Sequence, residues 1–468
     1  MKRKLYALLL AVCMVFITVL SFNSCFSEEP SGIVEARIND DGELIVVYQD
    51  GSEKSLGRVV GQDGADGKDG ASGKDGSDGA DGKDGKDGID GIDGIDGNDG
   101  ASGSVTIVTN GSSIPSATAK GLRSAVSIVC NFTATVQGGY WPGSGTTTKQ
   151  YASAGSGVIY KLDKASGDAF IITNYHVVYD ASSNTSNGIS NDINVFLYGS
   201  EYEELAIEAT YVGGSLYYDI AVLRVEDSDL IKESDVTAVE VFDSDNIVVG
   251  DTAIAIGNAQ GYGISASYGI ISVDSEYLTM TAADGKTEVT FRTIRIDTAV
   301  NPGNSGGGIY DDEGKLIGIV NAKIVEDDVE NIAYALPSKI AVNVAENIID
   351  NCFGKSNQRV LRAMLGISLS TSDSRAVYDP ATGFVALNET VEIYEVEKGS
   401  LADGKLEKED VLVSVVLNGQ TLTITRQHHI IDLMLAVRVG DVITLNVLRD
   451  GTAVAVNIEI TESSLIEY

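Results

Sequence analysis

The sequence predicts a mostly β protein carried on a collagen-like stalk, and three observations predict it. Short apolar runs at 193–197, 220–225, 253–256, 269–273, 289–296 and 316–320 are separated by turn residues, the spacing of strands that close into barrels. Glycine holds every third position from 61 to 103 without a break, the register in which only glycine fits a triple-helix axis. A sustained helical pattern occurs mainly at 338–349.

The chain begins with Lys2, Arg3 and Lys4 and an apolar run over 5–20. That run is short of the roughly 20 residues of a spanning helix. Residues 1–24 therefore read as a secretory signal. The words Phe22-Asn23-Ser24-Cys25 resemble a bacterial lipoprotein cleavage site. Lipid on Cys25 would anchor the mature chain to the outer side of a membrane; the alternative is ordinary cleavage near Ser24. Residues 25–60 hold the anchor and a small β unit, with a strand at 43–48 between the turn signals Asp41-Gly42 and Asp50-Gly51.

The stalk, 61–103, contains no proline, and aspartate fills most third positions. Its stability as a triple helix would come from Lys–Asp pairing between chains. Over about fourteen triplets it would extend about 130 Å at ~3.1 Å per residue, and it would force trimerisation. The alternative is a flexible acidic linker. Residues 104–119 form a Ser-rich linker. A short helix is predicted at 119–125, a strand at 126–134, and an exposed loop at 137–154 that carries the only Trp of the chain, Trp141.

The net charge is −35, with no basic patch along the chain beyond the signal segment. That excludes nucleic acid as a partner and electrostatic docking on an anionic membrane. No paired Cys-x-x-Cys and no His-Glu-x-x-His occurs, so neither a metal nor another cofactor is expected. In an exported chain Cys130 and Cys352 allow a disulfide; two buried thiols are the alternative.

The chemistry centres on Asn301-Pro302-Gly303-Asn304-Ser305-Gly306-Gly307-Gly308. A serine flanked by glycines sits on a tight turn, and Gly303 permits a backbone shape that other residues resist. That shape can aim the N–H groups of Gly303 and Ser305 at one point, as an oxyanion hole requires. A serine hydroxyl needs a base. Of the three histidines, His428 and His429 lie far downstream, which leaves His176 at a strand end. Asp219, at the head of an apolar run, is the carboxylate that would orient it. Taken singly, each also reads as structural: a surface turn, a core histidine, a strand cap.

The order His176, Asp219, Ser305 is that of the chymotrypsin arrangement. The words Thr173-Asn174-x-His176-Val177-Val178, Asp219-Ile220-Ala221-Val222-Leu223 and Asn301-Pro302-Gly303-Asn304-Ser305-Gly306-Gly307 resemble the HtrA/Deg serine proteases. Gly155-Ser156-Gly157-Val158-Ile159 and Ala333-Tyr334-Ala335-Leu336-Pro337-Ser338 are similar to family segments too. The resemblance runs from about residue 120 to the C-terminus. It implies a chymotrypsin/trypsin-like double β-barrel over 120–351, a PDZ domain over 360–462, and a homotrimer.

Pocket residues follow from position. Ala299 lies at the expected pocket base, where a trypsin would need an acid; Val300, Asn321 and Ala322 are expected to complete the pocket. Small or medium aliphatic side chains before the scissile bond are expected. In the PDZ-like segment, Met364, Leu365, Gly366 and Ile367 are expected to receive a peptide C-terminus by strand addition, with a lining helix at 428–437 and His428 and His429 exposed on it. The resulting expectation is an envelope-anchored, ATP-independent endopeptidase acting on unfolded or misfolded exported proteins. The alternative is a collagen-stalked surface adhesin whose protease domain is inactive or gated.

Overall fold

The computed structural model describes residues 33–38, 43–48, 52–58, 114–137, 146–200, 203–321, 332–355 and 360–467. The signal segment, Cys25, the stalk, Trp141, Ala322 and the linker up to residue 113 lie outside the described residues. The chain divides into two units, 1–100 and 101–468.

In the first unit, β1 (Ile33–Ile38), β2 (Glu43–Tyr48) and β3 (Glu53–Arg58) form an antiparallel sheet in that order. The second unit opens with helix α1 (Ile114–Leu122), several residues ahead of the predicted 119–125. Pro115 falls in its first turn, where a missing N–H breaks no hydrogen bond, so the helix can start earlier. Gly121 lets it press on the second barrel: a Cβ there would meet Ile256 Cδ1 at 2.5 Å.

Six strands close the first barrel: β4 (Ala125–Gln137), β5 (Thr146–Asp163), β6 (Asp168–Thr173), β7 (Asp192–Leu197), β8 (Ile207–Ser215) and β9 (Ile220–Val225). Along β4 the alternate residues Val126, Ile128, Cys130, Phe132 and Ala134 are buried, the period of two that one covered face dictates. Of the predicted loop 137–154, residue 137 and residues 146–154 are strand instead, and 138–145 lie outside the described residues. Residues of β5 pair with β4 one for one from Ala125↔Val158 to Gln137↔Thr146. Its first five residues are exposed, so no apolar alternation marked them.

A second closed barrel follows: β10 (Thr252–Gly257), β11 (Ser265–Thr281), β12 (Glu288–Ile296), β13 (Gly308–Tyr310), β14 (Leu316–Val320) and β15 (Ala333–Pro337). Helix α2 (Ser338–Cys352) ends this body. Its buried residues Ile340, Ala341, Val344, Ala345 and Ile348 form one face at helical spacing. They join a core shared by both barrels. Truncating Ile348 to Ala would cost about 2–5 kcal/mol. Cys130 and Cys352 are both buried and both free thiols. Cys352 packs against Gly213 in β8, while Cys130 belongs to the separate core of the first barrel.

The C-terminal domain contains β16 (Leu361–Ala363), β17 (Ile367–Tyr378), β18 (Val385–Val396), β19 (Val411–Leu417), β20 (Gln420–Thr423), helix α3 (Gln427–Leu433), β21 (Val442–Arg449), β22 (Thr452–Glu459) and β23 (Leu465–Glu467). Its main sheet runs β17-β18-β19-β21-β22, with β20 on β19. The last strand, β23, pairs back onto β16, so the domain extends past residue 462 to Glu467.

Candidate active site

The serine turn lies between the two barrels. Gly303 has φ +98° and Gly306 φ +83°, values that a side chain resists. Space forbids a side chain as well. A Cβ on Gly303 would lie 2.3 Å from the Asn258 carbonyl oxygen. One on Gly306 would lie 2.3 Å from Ser156 O and 2.4 Å from Thr173 Oγ1. The glycines around Ser305 thus answer to contacts that the apolar pattern could not reveal.

Both peptides flanking Gly303 are pinned by their carbonyls. Gln260 N–H donates to Pro302 O at 2.7 Å, and Ser156 Oγ donates to Gly303 O at 2.7 Å. In a planar trans peptide the N–H points opposite to the C=O. Holding Pro302 O toward Gln260 therefore turns the Gly303 N–H away from it. Among the described residues, neither the Gly303 nor the Ser305 N–H has a hydrogen-bond acceptor.

His176 and Asp219 are brought together on the first barrel. His176 begins beyond β6, in the one-turn helix Tyr175–Val178, and Asp219 immediately precedes β9. Asp219 Oδ2 lies 2.6 Å from His176 Nδ1, and its Oδ1 accepts the His176 backbone N–H at 2.9 Å. Asp219 has φ +54°, an uncommon conformation for a residue with a side chain. Its own carbonyl is held by Tyr175 N–H at 3.1 Å and Asn174 Nδ2 at 2.9 Å. Bonds on both sides of one residue keep the carboxylate buried and aimed.

Asn321, expected in the pocket, meets the acid of the pair. It is buried, and its Nδ2 donates to Asp219 Oδ2 at 3.0 Å. It follows β14 directly, and that strand binds the serine turn through Gly306 N–H to Val320 O at 3.1 Å. One chain reversal thus serves nucleophile and acid together. Ala299 is exposed, with its carbonyl accepting Ser267 Oγ at 2.8 Å, and Val300 packs partly on the second barrel's core. Asn174, Ser156 and Asn258 are site residues that the sequence reading does not single out, and Asn321 is one it places in the pocket and not beside Asp219. Each is a buried polar residue beside an apolar run, which is the one signal that would have found them.

A profile of the trypsin-like peptidase domain matches residues 155–319, and one of the collagen triple helix repeat matches residues 51–106. The chain is 30% identical over 379 residues to the serine protease Do-like HtrA of Lactococcus lactis subsp. cremoris (strain MG1363), an alignment spanning 76% of this chain and 84% of that protein. This chain belongs to the HtrA serine protease family. It is also 33% identical over 318 residues to the serine protease Do-like HtrA of Bacillus subtilis (strain 168), covering 66% of this chain and 64% of that one. Among solved structures, an HtrA-type protease AlgW with decapeptide aligns over 75% of this chain and 98% of its own, with 24% identity and a TM-score of 0.46.

In this HtrA protease a groove crosses the C-terminal domain between the edge strand β17 and helix α3. It is lined by Leu365, Gly366, Ile367, Ile430, Ile431 and Met434. Gly366 has φ +74°. Of the four predicted loop residues, Met364 has its N–H engaged, donating to Ser464 O at 2.8 Å.

His428 and His429 are buried, contrary to the expectation of exposure. Helix α3 turns them toward the second barrel. Ser275 Oγ lies 3.3 Å from His428 Nδ1, and Asp245 Oδ1 lies 3.8 Å from its Nε2. Around them Arg292 reaches Asp432 at 2.7 Å and Asp245 at 3.1 Å, Lys339 pairs with Asp245, and Arg426 reaches Asp274 at 3.0 Å. Burial lowers the pKa of both imidazoles and pushes the Asp432 carboxyl up to about 6. The ligand atoms of Asp245, His428 and His429 lie within 4.8 Å of one another. Arg292 and Lys339 already supply the positive charge at that carboxylate.

Proposed function

We propose that this chain is an envelope-anchored, ATP-independent endopeptidase of unfolded or misfolded exported proteins. Ser305 attacks the scissile carbonyl, and His176 takes its proton and passes it to the leaving amine. Asp219 holds the tautomer with the proton on Nδ1 and stabilises the imidazolium. The N–H groups of Gly303 and Ser305 receive the oxyanion. The observation that carries this reading is the bond between His176 Nδ1 and Asp219 Oδ2 at 2.6 Å. It commits Nδ1 to the carboxylate and leaves Nε2 as the base.

Ala299 and Val300 favour small or medium aliphatic side chains at the cleaved position. The β17–α3 groove reads as a PDZ-type site for peptide C-termini, with the loop N–H groups taking the carboxylate. Lipid on Cys25 and a trimeric stalk complete the reading. The test is digestion of casein by the mature chain beside Ser305→Ala, with product ends sequenced. Cleavage after valine, alanine or isoleucine by the parent alone supports it. Cleavage mainly after arginine, lysine or glutamate refutes the pocket; equal activity in Ser305→Ala refutes the nucleophile.

A further inference from the structure

Ser156 stands apart from the residues that touch substrate, yet it holds the serine turn at two points. It lies on β5 in the first barrel and is fully buried. Its hydroxyl accepts the Asn258 N–H at 2.8 Å and donates to Gly303 O at 2.7 Å. Its backbone N–H donates to Ser305 O at 2.8 Å. Its own carbonyl is held by Thr173 Oγ1 at 2.7 Å, three residues before His176.

The bonds at Gly303 and Ser305 bracket one dipeptide. Ser156 grips the carbonyl of Gly303 and the carbonyl of Ser305, and the Asn304–Ser305 peptide, which carries the Ser305 N–H, lies between them. On the far side of Gly303, Gln260 grips Pro302 O at 2.7 Å. Each planar peptide has one remaining freedom about its Cα bonds, and these bonds remove it. Asn258 joins the two grips: its N–H reaches Ser156, and its Nδ2 donates to Ser127 Oγ at 2.6 Å. Ser127 is the residue opposite Ser156 across the β4–β5 pair. Two facing serines of the first barrel therefore seat one asparagine of the second.

We propose that Ser156 is a positioning residue of the proteolytic reaction: its hydroxyl fixes the Gly303–Asn304 peptide, which lies between the peptides carrying the Gly303 and Ser305 N–H groups, and so keeps both in the orientation that receives the oxyanion. The inference rests on the reading of those two N–H groups as the oxyanion donors. A hydroxyl that both accepts and donates is needed here: alanine leaves the Asn258 N–H and the Gly303 carbonyl buried without partners, which frees the turn to rotate.

The experiment compares Ser156→Ala with the parent on a fluorogenic peptide and on a peptide aldehyde whose adduct places an oxyanion at the site. Removal of one oxyanion donor outright costs about 10²–10³ in kcat, so misorienting the pair is expected to lower kcat by about tenfold to a hundredfold. KM should stay within about threefold, and aldehyde affinity should fall in step with kcat. The pH profile of kcat/KM, which reports His176, should keep its midpoint. Unchanged kcat and aldehyde affinity in a folded Ser156→Ala overturn the inference, as does a loss confined to melting temperature. If Ser156→Ala does not fold, Ser156→Cys, slightly larger and only a weak donor and acceptor, weakens the bonds without removing the polar group and takes the same assays with the same expected direction. A parent chain that neither cleaves peptide nor reacts with a fluorophosphonate refutes the underlying protease reading instead, and the inference with it.

Discussion

Gly303→Ala is a perturbation whose effect can be sized from the turn itself. The new Cβ would start 2.3 Å from a backbone oxygen, more than 1 Å inside ordinary contact at 3.4 Å. Backbone cannot swing aside as a side-chain tip can, so either the turn moves or the molecule carries the strain. If the turn moves, the displacement is about 1 Å, and misplacement of that size costs about 10²-fold in rate. If it stays, a residue held in a rare backbone region costs about 1–3 kcal/mol. For a body of this size that is about 2–12 °C in melting temperature. The assay is kcat on a peptide with valine before the scissile bond, beside a thermal melt of the same sample. A fall of about a hundredfold in kcat, or the stated fall in melting temperature, is expected. A variant with both values unchanged would refute the reasoning, because strain must appear in one of them.

Other expectations are more direct. Asp219→Asn should keep the fold and lower kcat by about 10⁴, since it leaves His176 in the wrong tautomer; a loss under tenfold in steady-state kinetics contradicts the assigned role. Burial pushes the Cys130 thiol up to about 12 and the Cys352 thiol up to about 11. In a chain starting after Cys25, neither should react with a thiol reagent at pH 8 until the protein is unfolded, with or without reductant; a thiol count that needs reductant would mean a disulfide. Acid should destabilise the chain through His428 and His429, because the unfolded chain takes up protons below about pH 6.5 that the buried rings refuse. Asp432 opposes this, binding a proton in the folded chain between its ordinary value of 3.8 and about 6. Thermal melts from pH 7 to 4.5 should therefore flatten in His428→Leu and steepen in Asp432→Asn; identical slopes would count against the burial argument. Arg292→Met strands the buried Asp432 carboxylate and leaves Asp245 to Lys339 alone; it should cost about 3–5 kcal/mol by chemical denaturation, and a cost below 1 kcal/mol would mean the ion pairs carry little.

Much of this was legible in the sequence because period and turn chemistry are local. The strands at 220–225 and 316–320, the β2 strand at 43–48 and the closing helix from 338 are local patterns, and they stand where the pattern puts them. His176 and Asp219 could be paired by residue type alone. What stayed hidden depends on approach across the chain. Nothing near Asn321 says that its amide meets Asp219, 102 positions away. The first half of β5 faces solvent and wears no apolar stripe. Nothing within 428–437 marks the histidine pair as covered; the second barrel, remote in sequence, buries it.

The charged seam that joins helix α3 to the second barrel has a consequence for reversibility. Two greasy faces that meet are reluctant to part, since parting them wets apolar surface. Arg292, Asp432, Arg426 and Asp274 instead recover hydration when separated, which offsets much of the attraction they lose. The seam is selective in register, and the apolar part of the junction is small beside it, with Leu435 and Val360 reaching the core that the barrels share. The C-terminal domain is attached in the manner of a key in its lock, not of a part glued in place.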